Sequence, residues 1–150
     1  MPQSHACLYA HLIFSTKDRY PFLDTSVRDR VHAYLAETVR NMGSSFSLVG
    51  GVADHVHLLF EMGRVHAAKD FSEEIKRESS KFIKTFGGKH SKFYWQRGYG
   101  IFSVSPPHRS AVEAYIRNQE EHHRVKTFQE EYRDFLRRYD IQYDERYVWD

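Results

Sequence analysis

The stretch Gly50-Gly51-Val52-Ala53-Asp54-His55-Val56-His57-Leu58-Leu59-Phe60 constrains this chain more than any other. Two glycines and an aspartate mark a turn. An apolar run of strand-forming residues follows, so residues 55–61 read as a β-strand. Side chains alternate faces along a strand. His55 and His57 therefore project together from one face, while Val56, Leu58 and Phe60 point into a core. Two imidazoles held side by side on a rigid strand can bind one metal ion. The plainer reading is the polar face of an ordinary amphipathic strand.

The segments on either side complete a pattern. Residues 7–15 alternate as a first strand, with Leu8, Ala10, Leu12 and Phe14 on one face and Tyr9, His11 and Ile13 on the other. His11 either joins a polar site with His55 and His57 or is a half-buried histidine with local partners. Lys17-Asp18-Arg19-Tyr20-Pro21 is a basic loop. Residues 24–42 carry Val27, Val31, Tyr34, Leu35 and Val39 at helical spacing. A second strand over 46–52 turns at Ala53-Asp54 into the histidine strand, giving an antiparallel hairpin. Residues 67–86 form a second helix, buried through Phe71, Ile75, Phe82, Ile83 and Phe86.

Residues 100–105 form a fourth strand, which Pro106-Pro107 ends sharply. Ser110 and Glu113 have capping-box spacing for a helix over about 111–123. Tyr115, Gln119 and His122 share one stripe of that helix. The two prolines stiffen the connection and project the helix away from its own sheet, to dock either on its own His55–His57 face or on a partner's. Phe128, Tyr132, Phe135, Leu136 and Tyr139 suit a last amphipathic helix. The order β-α-β-β-α-β followed by helices gives an α+β, ferredoxin-like (RRM-like) four-stranded antiparallel sheet. Such a sheet can carry helices on one face and a binding site on the other. With 150 residues the chain reads as one domain, with a core over about 7–123 and an extension over 124–150.

Charge is informative locally rather than globally. The net charge is only +2, yet Lys76, Arg77, Lys81, Lys84, Lys89, Lys92 and Arg97 face a single acid, Glu78, a local excess of +6. Phe93, Tyr94, Trp95 and Tyr99 are interleaved with them. Basic charge among exposed rings is the footprint of single-stranded nucleic acid binding; the plainer reading is a solvated helix face and a core tryptophan. The lone Cys7 excludes an intrachain disulfide and a Cys-rich zinc site. With no signal peptide and no apolar stretch of membrane-spanning length, a cytoplasmic location without membrane partners is expected.

A histidine strand, a tyrosine helix and a basic stretch are the parts that phosphodiester cleavage needs. A tyrosine hydroxyl can be the nucleophile, and a divalent ion can neutralise the phosphate. His55-Val56-His57 resembles the histidine–hydrophobic–histidine motif of the HUH endonucleases. The chain as a whole resembles their single-tyrosine insertion-sequence transposases and the related REP-associated tyrosine transposases. The resemblance runs in order through residues 12–19, 51–60 and 75–82, then Trp95-Gln96-Arg97-Gly98-Tyr99 and Tyr115-Ile116-Arg117-Asn118-Gln119.

That resemblance implies His55, His57 and Gln119 as metal ligands and Tyr115 as the nucleophile. It implies a transposase that nicks and rejoins single-stranded DNA beside hairpins through a 5′-phosphotyrosine, with Mg2+ or Mn2+, and a homodimer. Magnesium prefers oxygen ligands, so phosphate oxygens and water are expected to complete its shell. His122 is a candidate accessory ligand, and the pair His122-His123 after the helix motif offers another ligand or a phosphate contact. Lys17, Arg19, Lys76, Arg77, Lys81, Lys84 and Arg97 are candidate DNA contacts. Two alternatives stay open: a non-catalytic RRM-like binding module, and a zinc hydrolase using His55, His57 and His122.

Overall fold

The structure is a computed structural model and describes residues 2–150. β1 (Tyr9–Ser15), β2 (Ser47–Gly51), β3 (His55–Glu61) and β4 (Gly100–Val104) form one antiparallel sheet in the order β2-β3-β1-β4. α1 (Thr25–Asn41) and α2 (Ala68–Lys84) cross between strands as the ferredoxin-like order requires. Their apolar stripes, Val27, Val31 and Leu35 on α1 and Phe71, Ile75 and Ile83 on α2, pack on Ala10, Leu12, Phe14, Val56, Leu58 and Phe60. This is the larger core. Ser79 occurs where α2 must leave room for an indole. Trp95 Nε1 donates to Ser79 Oγ at 2.9 Å, and the Trp95 ring meets Phe14 and Phe93 edge-on. Phe93 and Trp95 are therefore core residues, and of the four rings in the basic stretch Tyr94 alone is largely exposed.

The register fixes the second face. Ser15 lies opposite His55, Ile13 opposite His57 and His11 opposite Leu59. With a side-chain period of two, these residues share the face away from α1 and α2. That face, the one open to a binding site in the sequence reading, is covered by helices. α3 (Arg109–Arg117) packs Ile116 on Leu59 and Val104. α5 (Phe128–Arg138) packs Phe128, Tyr132, Phe135 and Leu136 on Ile13 and Phe102. An extension with four large apolar side chains on one stripe needs a surface to bury, and the sheet supplies it.

Of the two dockings open to the tyrosine helix, the structure shows the one on its own sheet. Pro106–His108 forms one 3-10 turn that folds α3 back onto its own sheet. Helix α3 begins at Arg109, ahead of the Ser110 cap position, and has no side-chain cap. The long helix expected to reach His123 breaks at Asn118 (φ −101°, ψ 23°), which separates α3 from α4 (Gln119–His122). Gly50 on β2 allows the close docking of α3. A Cβ there would stand 2.4 Å from the Ile116 carbonyl oxygen.

Candidate active site

Three elements converge on the covered face, and their meeting point is a residue of the extension, Glu131. His57 Nε2 lies 3.0 Å and His55 Nε2 3.3 Å from Glu131 Oε1. His123 Nε2 lies 3.2 Å and His122 Nε2 3.4 Å from Oε2. The Tyr115 hydroxyl donates to Oε2, and Gln119 Nε2 lies 3.4 Å from the same oxygen. Gln119 Oε1 lies 3.2 Å from His55 Nε2. Tyr115, Gln119, His55, His57 and His122 thus share one small volume, in which His55, His57, Gln119 and Glu131 are buried. Tyr115 and His122 are half-exposed and form its solvent lip.

Hydrogen bonds behind the cluster orient its rings. His55 Nδ1 is 2.7 Å from Asp54 Oδ1, so its N–H donates to that carboxylate. His57 Nδ1 is 2.8 Å from His11 Nε2. His11 is thus part of the site, as the alternation of β1 allowed. His123 Nδ1 is 2.6 Å from the Lys126 carbonyl and donates to it. Four side chains, His55, His57, His123 and Glu131, bring one ligand atom each within 4.8 Å of one another. That is a nitrogen-rich set suited to a divalent ion. Among the histidines of the zinc alternative, His123 rather than His122 belongs to this tight group.

The electrostatics follow from burying one carboxylate among imidazoles. Burial opposes the charge of Glu131, but the surrounding imidazoles outweigh it and hold its pKa far below the usual carboxylate range. Burial also opposes the charge of His55, but the Asp54 and Glu131 carboxylates overcome it and raise its pKa to about 9. His57 is pushed down to about 4, mainly by burial. Burial and the adjacent Glu131 charge push the Tyr115 phenol well above its ordinary value.

The basic candidates occupy other places. α2 lies across the sheet from the histidines. Lys76 is not on its free surface: Nζ donates to the carbonyls of Gln96 (3.0 Å), Arg97 (3.1 Å) and Gly98 (2.6 Å). Burial lowers the Lys76 pKa to about 8. Arg19 Nη1 is engaged by the Trp149 carbonyl at 2.8 Å and by Ser15 Oγ at 3.3 Å. Arg77 pairs with Glu74 and Glu78, Lys81 with Glu78, and Lys84 lies 4.5 Å over the Tyr94 ring. Lys17, Arg19 and Arg97 line one groove of about 510 Å³ with Tyr94, Gln96 and Trp149.

Sequence reasoning named His123 only together with His122, as a candidate ligand or phosphate contact, and did not find Glu131. His123 is adjacent to the Tyr115–Gln119–His122 stripe. Glu131 has a clearer signal: it falls at helical spacing within the stripe Phe128, Tyr132, Phe135. A charge placed there must be either exposed or paired.

A two-histidine strand in a ferredoxin-like sheet, with a tyrosine on the helix after its last strand, defines the HUH-type tyrosine transposases. The family model "Transposase IS200 like" matches residues 4–119, and the chain belongs to that family. It is 29% identical to the ISDra2 transposase TnpA of Deinococcus radiodurans over 118 residues, 73% of this chain and 81% of the relative. A crystal structure from D. radiodurans R1, assigned as a transposase, superimposes with a TM-score of 0.61 at 25% identity, covering 79% of this chain and 98% of the other. A REP-associated tyrosine transposase bound to a REP hairpin shares the fold, with a TM-score of 0.53 at 13% identity over 77% of this chain and 70% of that one. The protein is a transposase, a DNA-cleaving enzyme of DNA transposition. Among the described residues no helix is long and apolar enough to cross a membrane.

Proposed function

We propose that this transposase nicks and rejoins single-stranded DNA beside hairpins through a 5′-phosphotyrosine on Tyr115, with a divalent ion, magnesium or manganese, held by His55, His57 and Gln119. The observation that carries this reading is the convergence of the Tyr115 hydroxyl, Gln119 and both strand histidines on the Glu131 carboxylate. A scissile phosphate approaches at the lip where Tyr115 and His122 reach solvent. The Tyr115 oxygen attacks phosphorus, and the bond to the 3′ oxygen breaks. The 3′ oxygen leaves as a hydroxyl and the 5′ phosphate stays on the tyrosine. The phenol must lose its proton as it attacks. The hydroxyl donates to Glu131 Oε2, and His122 Nε2, 3.3 Å from its oxygen and with its pKa lowered by burial, is the second acceptor, which can take the proton and pass it to the departing 3′ oxygen. A bound divalent ion would supply Lewis-acid charge to the non-bridging phosphate oxygens. Rejoining reverses the exchange, one phosphoester for another, so no outside energy source is needed.

The non-catalytic RRM-like reading is less well supported. It needs exposed rings on the sheet face, whereas that face bears buried histidines under α3 and α5. Strand transfer needs two cut ends held together, which supports a homodimer as the working unit. The deciding experiment is incubation of hairpin-bearing single-stranded DNA with Mn2+ or Mg2+, resolved on a denaturing gel. A covalent protein–DNA band in wild type and none in Tyr115→Phe is expected. Adducts that persist in Tyr115→Phe would remove the assignment.

A further inference from the structure

We propose that Glu131 and His123 are metal ligands alongside His55 and His57, so that the C-terminal extension builds part of the metal centre. The inference rests on the reading that the two strand histidines hold a divalent ion, and extends it to two residues outside the strand motif.

The argument begins with lone pairs. His123 gives its Nδ1 proton to the Lys126 carbonyl at 2.6 Å, so in the neutral ring Nε2 carries a lone pair. That nitrogen is buried and has no hydrogen-bond partner among the described residues. It stands 3.2 Å from Glu131 Oε2, outside hydrogen-bonding geometry. The His123 side chain is only 8% exposed. His55 repeats the pattern. Its Nδ1 proton goes to Asp54, and Nε2 faces two oxygens, Gln119 Oε1 at 3.2 Å and Glu131 Oε1 at 3.3 Å. When His57 donates from Nδ1 to His11, its Nε2 lone pair faces Glu131 Oε1 at 3.0 Å. Without an ion, protons on these nitrogens satisfy the carboxylate. A shared cation can replace those protons and accept the three imidazole lone pairs and the carboxylate together.

The spacing fits such a cation. Bonds of about 2.1 Å put neighbouring ligand atoms about 3.0 Å apart in an octahedral shell and about 3.4 Å apart in a tetrahedral one, and the octahedral shell leaves room for Gln119 and a phosphate oxygen. The separations of 3.0 and 3.3 Å from Glu131 Oε1 and of 3.2 Å from Oε2 fall in that range, and all four ligand atoms lie within 4.8 Å of one another, so the widest pairs close in when the ion binds. The backing bonds are also those of metal sites. A ligating histidine usually donates its other N–H to a carboxylate or a carbonyl, as His55 does to Asp54 and His123 to Lys126. Three nitrogens and one carboxylate favour manganese, cobalt or zinc over magnesium, which demands oxygen.

The test is metal binding by the full chain, freed of metal by chelation. Mn2+ is titrated calorimetrically, and Co2+ is followed by its visible spectrum, which reports coordination without catalysis. One ion per chain is expected. Glu131→Gln and His123→Ala should each weaken Mn2+ binding by about tenfold or more and change the Co2+ bands. Wild-type affinity and spectrum in both variants would overturn the proposal. Tighter binding in Glu131→Gln would also overturn it, making the carboxylate a competitor of the ion rather than its ligand. His57→Ala separates the two readings. If it abolishes binding while Glu131→Gln does not, the strand site stands and this extension of it falls. If wild type binds no ion, both fall. Where Glu131→Gln unfolds by circular dichroism, Glu131→Asp decides, since it keeps the charge on α5. A weakened affinity with altered Co2+ bands supports ligation, and wild-type values refute it.

Discussion

Gly50→Ala tests whether the docking of α3 on β2 positions the nucleophile. The added Cβ would stand 2.4 Å from the Ile116 carbonyl oxygen and 2.7 Å from Ile116 Cγ2, where ordinary contact begins at 3.4 Å. The carbonyl belongs to the helix backbone and cannot rotate aside. In a close-packed interior, relief moves α3 off β2 by about 1 Å. Overpacking of this kind costs about 1–3 kcal/mol. In a domain of this size each kcal/mol lowers Tm by roughly 2–4 °C. Tyr115 precedes Ile116 in α3, so its hydroxyl moves with the helix. A misplacement of about 1 Å at the reacting atom costs on the order of a hundredfold in rate. The assay is single-turnover nicking of hairpin-bearing single-stranded DNA, beside a thermal melt. Gly43→Ala is the control. Gly43 has φ +96° with nothing within 4 Å of an added Cβ, so alanine there strains the backbone without touching α3. It should lower Tm and leave the nicking rate near wild type. Wild-type nicking by Gly50→Ala would refute the reasoning, as would an equal loss in Gly43→Ala.

Other expectations separate the roles of charge, pH and assembly. Lys81→Gln with Lys84→Gln should leave Tm unchanged and reduce the salt slope of single-strand binding by about 1.4, at about 0.7 per phosphate contact; an unchanged slope would make these lysines a solvated face. Lys76→Gln should instead lower Tm, because three loop carbonyls lose their donor. The metal-free protein in EDTA should be most stable near pH 6.5. His57 and His32, both lowered to about 4, refuse protons that the unfolded chain accepts, so stability falls as pH drops from 6.5 towards 4. His55, raised to about 9, contributes fully below 6.5 and loses that contribution as pH rises through 9. Melts at pH 5, 6.5 and 9 decide this, and a flat profile contradicts it. Mixing His57→Ala with Tyr115→Phe chains should not restore nicking, since α3 lies on its own sheet; restored nicking would show tyrosines serving a partner's histidines.

The alternation of β1 and β3 was legible because a two-residue period leaves little freedom once one face is apolar. It placed His55 and His57 together and left His11 open between joining them and a half-buried place with local partners. The stripes of α1 and α2 were legible for the same reason. The break at Asn118 was not, because a single kink leaves helical spacing nearly intact on either side. The docking of α3 was left open by Pro106-Pro107. Prolines fix the local backbone, but where the helix goes next is set by long-range contacts, here Ile116 against Leu59, Val104 and the bare backbone of Gly50. Trp95 was left open between a stacking ring and a core tryptophan. Its partner, the small Ser79, lies sixteen residues earlier, and nothing local links the two.

The site itself divides along the same line. Tyr115, Gln119 and His122 lie close in sequence, and helical geometry alone groups them. Glu131 reaches them only because α5 returns across the sheet, and that return is driven by Phe128, Tyr132, Phe135 and Leu136 rather than by the carboxylate. An isolated buried carboxylate would cost several kcal/mol. Apolar burial of α5 carries Glu131 inward, and the histidines then compensate its charge. The two contributions depend on each other. Without the histidines the stripe would have to keep Glu131 in solvent, and α5 would turn or detach. Without α5 the imidazoles of His55 and His57 would face water. The extension and the histidine face are therefore one folding unit, although only the histidines belong to the strand motif.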